Sequence, residues 1–172
     1  MEQVILVDPM DNEVGFEEKF ECHKMPVQLH RAFSVFIFND KNQLLLTRRN
    51  VEKKTWPGFW SNACCSHPRK GEPVELAAKR RLEEELGFTC DLEFLFKFIY
   101  KADYDKTWGE HELDHVFVGR YAGPIHPNPS EIGDLKYVDL GQLKRDVKEH
   151  PEHYTPWFKI ALPRVLEHME KK

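Results

Sequence analysis

Two apolar, β-prone runs at residues 32–38 and 44–48 flank the polar stretch Asn39-Asp40-Lys41-Asn42, a pattern that leaves the chain little choice but a hairpin. Such a pair of strands is expected at the heart of a sheet. Everything else in the fold has to be arranged around it.

The pattern changes between Glu72 and Leu86. Pro73 suits a first helical turn, Val74, Ala77, Ala78, Leu82 and Leu86 recur at helical spacing, and Gly87 follows as a stop. Residues 94–100, 115–121 and 135–138 then read as strands, separated by polar or Pro/Gly-rich segments such as 123–129. Helical periodicity returns at 140–148 and 157–169, the second approached through Tyr154-Thr155-Pro156 and carrying Pro163 as a candidate kink. The first eleven residues, MEQVILVDPMD, read as a strand and turn rather than as a signal peptide. Strands with a few flanking helices and no regular strand–helix alternation predict an α+β sandwich. Without an internal repeat or linker, residues 1–172 are expected to form one domain.

A chain of 172 residues can bury a core without disulfides or structural metal. Its formal charge of −4, with Lys and Arg scattered among acids, offers no general attraction to nucleic acid, so any anion site must be local. No apolar stretch approaches the roughly 18–20 residues that cross a bilayer; no membrane contact and a cytosolic location are the expectation. Cys22, Cys64, Cys65 and Cys90 are even in number, but two are adjacent, where a mutual disulfide would be strained, and free thiols are expected.

His23, His30, His67, Glu110 and Glu112 are candidates for one metal site, because imidazole and carboxylate together suit a divalent ion such as Mn, Zn or Mg. In an extended segment Glu110 and Glu112 point to the same face and could reach one ion. The bland alternative is a solvated loop and satisfied histidines. Cys65 lies in the aromatic, Pro/Gly-rich segment 56–68, where a thiol serves either as acid, base or nucleophile or as a small buried hydrophobe. Carboxylates of the 72–87 helix could hold a Mg²⁺ that bridges a diphosphate, or simply form an exposed salt-bridged face. Arg48, Arg49, Lys53 and Arg81 could supply the local positive charge.

Together these motifs resemble the Nudix superfamily, and within it the type I isopentenyl-diphosphate delta-isomerases, over nearly the whole chain. Aligned on Gly87, the superfamily pattern puts Ser66 at its first Gly, Glu72 at its first Glu, Arg80 at its Arg, Arg81 at the following Glu, and then Leu82 and Glu84-Glu85. Ser66 and Arg81 depart from it. Arg81 reverses the charge of an acid that pyrophosphohydrolases use to hold metal, which argues against diphosphate hydrolysis. The isomerases share that departure, together with Leu29-His30-Arg31-Ala32-Phe33-Ser34, Thr47-Arg48-Arg49, Trp56-Pro57-Gly58 and Trp108-Gly109-Glu110-His111-Glu112.

The resemblance implies a Nudix-like α/β/α sandwich with a mixed central sheet. It also implies interconversion of isopentenyl and dimethylallyl diphosphate through a tertiary carbocation, in isoprenoid biosynthesis. His23, His30, His67, Glu110 and Glu112 would bind the divalent metal, and Glu85 would ligate Mg²⁺ on the substrate diphosphate. Cys65 and Glu112 match the proton-transferring pair, Tyr100 their hydrogen-bonding assistant, and Trp157 the aromatic facing the hydrocarbon. Lys19, Arg49, Lys53 and Arg81 match the diphosphate-binding positions, and the partner is a small molecule handled by a monomer or weak dimer. The rivals are a Nudix hydrolase and an inert metal-binding domain on the same scaffold.

Overall fold

The computed structural model describes residues 2–171. Strand β3 (His30–Phe38) is the hub, and its burial is almost continuous because both its faces are covered. Phe33, Val35 and Ile37 point into one core with Ala77, Ala78, Leu82 and Leu86 of α2 (Val74–Leu86). Phe36 and Phe38 point into a second core with Phe158, Ala161, Leu162 and Val165 of α4 (Pro156–Glu170), which Leu143 of α3 (Leu140–Glu149) joins. Helices therefore cover both faces of one mixed sheet.

On one edge β3 runs parallel to β8 (Gly109–Arg120), from His30 opposite Glu112 to Phe38 opposite Arg120. Strand β7 (Leu92–Asp103) then pairs antiparallel with β8. On the other side, β4 (Leu44–Arg49) meets β3 only next to the turn, through Phe38 and Leu44, and then pairs with β9 (Ile132–Val138). The expected hairpin exists, but its strands part beyond the turn. The opening is filled by residues 60–66, where β5 (Trp60–Ser61) pairs with β4 and β6 (Cys64–Ser66) with β3.

Asn62 holds that wedge in place, its amide donating to the carbonyls of Val35 (3.0 Å) and Cys64 (2.9 Å) while the Thr47 hydroxyl donates to the Asn62 carbonyl (2.8 Å). A buried polar side chain with its bonds made is a strong positional constraint. At the N-terminal end β1 (Gln3–Val7) and β2 (Glu13–Glu18) form an antiparallel pair, and α1 (Lys19–His23) follows.

Helix α2 starts after Pro73 without a side-chain cap and stops at Gly87, whose φ of 73° is left-handed and whose N–H closes on the Glu83 carbonyl. Helix α4 passes through Pro163 and continues to Glu170. Among the described residues no helix is long and apolar enough to cross a membrane.

Candidate active site

Ladder register brings the metal-type ligands together. Glu112 lies opposite His30 on one side and Tyr100 on the other, and Glu110 stands two residues along β8 on the same face. His23 arrives from the end of α1 and His67 from the residue after β6. One ligand atom from each of His23, His30, His67, Glu110 and Glu112 lies within 4.8 Å of every other, and all five side chains are buried.

The hydrogen bonds orient these ligands for a cation. Carbonyl oxygens can only accept, so Nδ1 of His23 donates to Lys19 (2.7 Å) and Nδ1 of His30 to Gln28 (2.9 Å). In the neutral rings, that leaves an Nε2 lone pair on each, facing Glu110 Oε2 at 2.9 Å and Glu112 Oε2 at 3.1 Å. His67 Nε2 also meets Glu112 Oε2, at 2.8 Å, and Glu110 Oε2 is buried without a properly directed hydrogen bond. Lone pairs packed against carboxylate oxygens need a positive charge between them, so these residues fit a divalent metal with mixed N and O ligands.

The same closeness acts on the titration of the histidines. Burial lowers His23 and His30, but Glu110 raises the first and Cys22 and Glu112 the second, so both stand above the ordinary imidazole value and favour the positive charge that the carboxylates face. Burial and Glu112 push Glu110 above the ordinary carboxylate value; burial opposes ionisation of Glu112 too, but His30 and His67 hold it low. Burial drives His67 down to about 3. Asp114, next on the same face of β8, is buried; burial and Glu112 raise it, and it accepts from Ser34 at 2.7 Å. Alternation along 110–114 could have revealed Asp114; the sequence reading stopped at Glu112.

Cys65, on the inserted strand β6, lines the same cavity of about 370 Å³ as Glu112, Tyr100 and Trp157. Its thiol donates to Asn62 Oδ1 (3.1 Å) and receives the indole N–H of Trp157 (3.0 Å). Burial, with Asp114 nearby, pushes that thiol up to about 12. Tyr100 donates its hydroxyl to Glu112, and burial and Glu112 hold its own proton on. Trp157 packs edge-on against Trp56 (5.5 Å, 90°), and Trp157 and Tyr100 give the cavity an aromatic wall.

Cationic side chains line the same cavity. Arg49 donates twice to the Thr55 carbonyl (3.1 and 3.0 Å) and lies 5.3 Å from the Trp157 ring centre. Lys19, Lys53 and Arg81 line the same cavity, Lys53 paired with Glu131 at 2.5 Å. Of the acidic residues on α2 only Glu85 turns into the cavity, where Cys64 donates to it at 2.8 Å and burial raises its pKa. Glu84 faces out against Arg80, and Arg80 is itself held by Glu72. This divides the acidic helix face into one cavity carboxylate and a structural ion-pair network. All four cysteines are free. Asn62 and Glu131 were not singled out from the sequence; nothing local in the chain marks either.

Residues 28–158 match the NUDIX domain family. The chain is 46% identical over 165 residues to Isopentenyl-diphosphate Delta-isomerase 1 of Aromatoleum aromaticum, covering 96% of this chain and 93% of the relative. It is 42% identical over 174 residues to Isopentenyl-diphosphate Delta-isomerase 1 of Photorhabdus laumondii, covering 99% of each. A crystal structure from Deinococcus radiodurans superposes with a TM-score of 0.70 at 19% identity, over 86% of this chain and 90% of that one, and so shares the fold.

Proposed function

Because this chain belongs to the isopentenyl-diphosphate Delta-isomerases of the NUDIX family and interconverts isopentenyl and dimethylallyl diphosphate, we propose that Cys65 and Glu112 carry its two proton transfers. The observation that carries this reading is their shared cavity, which aromatic and cationic side chains line together. A five-carbon diphosphate carries both a hydrocarbon and an anion for such a lining to meet.

Moving the double bond requires a proton on one terminal carbon, a tertiary carbocation, and loss of a proton from the carbon on its other side. An alkene is a poor base, so the donor must act where water is excluded. Cys65 and Glu112 are the proton-carrying pair, and the group that gives the proton in one direction takes it in the reverse direction. Tyr100 fixes one oxygen of Glu112 through its hydroxyl, and the Trp157 N–H fixes the sulfur of Cys65. The Trp157 ring faces the cation without being able to trap it, an attraction worth about 2 kcal/mol when desolvated.

His23, His30, His67, Glu110 and Glu112 would hold a divalent ion of the Mn, Zn or Mg type, which when bound supplies the positive charge their lone pairs lack. Glu85 would ligate Mg²⁺ on the diphosphate, with Lys19, Arg49, Lys53 and Arg81 around the phosphates. The protein is read as one cytoplasmic domain, a monomer or weak dimer with a small-molecule partner and no nucleic acid.

The test is conversion of isopentenyl diphosphate in deuterated water, followed by NMR. Deuterium in the dimethylallyl product, with no phosphate released from nucleoside diphosphates and Mg²⁺, supports the reading. Rapid phosphate release without label uptake overturns it in favour of hydrolysis.

A further inference from the structure

Lys53 and Arg81 both line the cavity, yet a carboxylate that the reaction does not use lies against both. Glu131 Oε2 is 2.5 Å from Lys53 Nζ, and its Oε1 is 3.7 Å from an Arg81 nitrogen. Glu131 sits at the crossing of three pieces of backbone. Its N–H donates to the Asn128 carbonyl (3.0 Å), and its carbonyl accepts from Asn50 N–H (3.3 Å) in the loop that carries Lys53. The Asn128 N–H in turn donates to the Glu85 carbonyl (2.8 Å) at the end of α2, and the Asn50 side chain donates to Pro129 (2.7 Å). The turn at 128–131 is therefore tied both to the helix that presents Arg81 and Glu85 and to the loop that presents Lys53.

We propose that Glu131 is a positioning residue for diphosphate binding, holding Lys53 and Arg81 at the spacing the anion needs; this rests on reading the cavity as a diphosphate site. Two cations aimed at one point repel each other, and each long side chain loses rotamer freedom when ordered. A carboxylate between them meets both costs before the ligand arrives, which is preorganisation. Without it, Lys53 has no other ion-pair partner among the described residues. Arg81 would still have Glu84 and Glu85 of its own helix, each at 3.4 Å, to draw it back along α2. Arg49 needs no such acid, because the Thr55 carbonyl already holds it. Loss of Glu131 also removes a negative charge from an anion site, which alone would tighten binding, so the sign of the effect decides the proposal.

The experiment is calorimetric titration of inorganic pyrophosphate with Mg²⁺ into metal-loaded wild type, Glu131→Gln, Glu131→Asp, Lys53→Met and the Glu131→Gln/Lys53→Met pair, with steady-state kinetics on isopentenyl diphosphate alongside. Glu131→Gln should weaken pyrophosphate about tenfold, because the ligand alone must then order two side chains. KM should rise by a similar factor with kcat within about twofold of wild type, as for lost ground-state binding. Glu131→Asp, which keeps the charge, should retain most of the affinity, and Glu131→Gln should add little to Lys53→Met. Unchanged or tighter pyrophosphate binding by Glu131→Gln, a loss confined to kcat, an Asp variant as weak as Gln, or full additivity with Lys53→Met overturns the proposal. Wild type that binds pyrophosphate but leaves isopentenyl diphosphate unconverted would refute the functional reading instead, while the pyrophosphate series still decides the role of Glu131.

Discussion

Three side chains meet on Glu112. One of its oxygens faces Nε2 of both His30 and His67, and the other accepts the hydroxyl of Tyr100 from the cavity side. Replacing it by Gln keeps the shape and removes the charge, so after dialysis Glu112→Gln should hold well under one metal ion per chain where wild type holds one. Elemental analysis gives the answer, and a full equivalent of metal in the variant would contradict the ligand assignment. The five metal-type ligands were legible in the sequence because their chemistry is unusual as a set, and the alternation that aligns Glu110 with Glu112 is a local property of a strand. Asn62 and Glu131 were not, because what makes them matter is contact across 27 or 78 positions of chain, Asn62 with Val35 and Glu131 with Lys53.

At the scale of elements, α2 and its stop are the best-encoded part of the fold. Gly87 is left-handed, and a Cβ there would come within 2.9 Å of the His126 Cβ and 3.1 Å of its carbonyl. Gly87→Ala should therefore cost about 1–3 kcal/mol in chemical denaturation; a neutral effect would mean that the 126–128 segment yields freely. The β1–β2 turn makes a different prediction. Burial raises the Asp11 carboxyl, but Arg31, His115 and Lys97 together bring it below its ordinary 3.8. A carboxylate lowered in the folded state adds stability above its unfolded value, and that contribution disappears as pH falls through the lowered folded value. Asn tolerates the left-handed φ of 67° at this position. Asp11→Asn should thus lose about 1–3 kcal/mol at pH 7, from its charged hydrogen bonds. The gap to wild type should close below about pH 4. A gap independent of pH would show that the charge is not what matters. Strands β5 and β6 escaped the sequence reading because they have two and three residues, too few for a period to show. They are also what turned the expected hairpin into an open one.

The whole molecule is one mixed sheet with α2 on one face and α3 and α4 on the other, and the cavity opens where β3 and β4 separate. The sandwich was legible from the pattern of strands and helices, but the parting of β3 from β4 was not, since it depends on residues 60–66 entering between them. The His/Glu cluster proposed to hold the ion joins α1, β3, β8 and the end of β6, so removing a bound ion should loosen contacts far apart in the chain. Chelation should lower Tm by about 5–10 °C, as for loss of a site saturated about a hundredfold above its Kd. An unchanged Tm would mean that the cluster holds no ion in solution.

The most direct measurement compares Cys65→Ala with wild type and Cys64→Ala, reading both kcat for isopentenyl diphosphate and pyrophosphate affinity. The account predicts that Cys65→Ala loses at least about a thousandfold in kcat, within the span of proton-transfer catalysis, while binding pyrophosphate within about twofold of wild type. Cys64→Ala should lose far less. A Cys65→Ala enzyme that turns over at the wild-type rate would contradict the account.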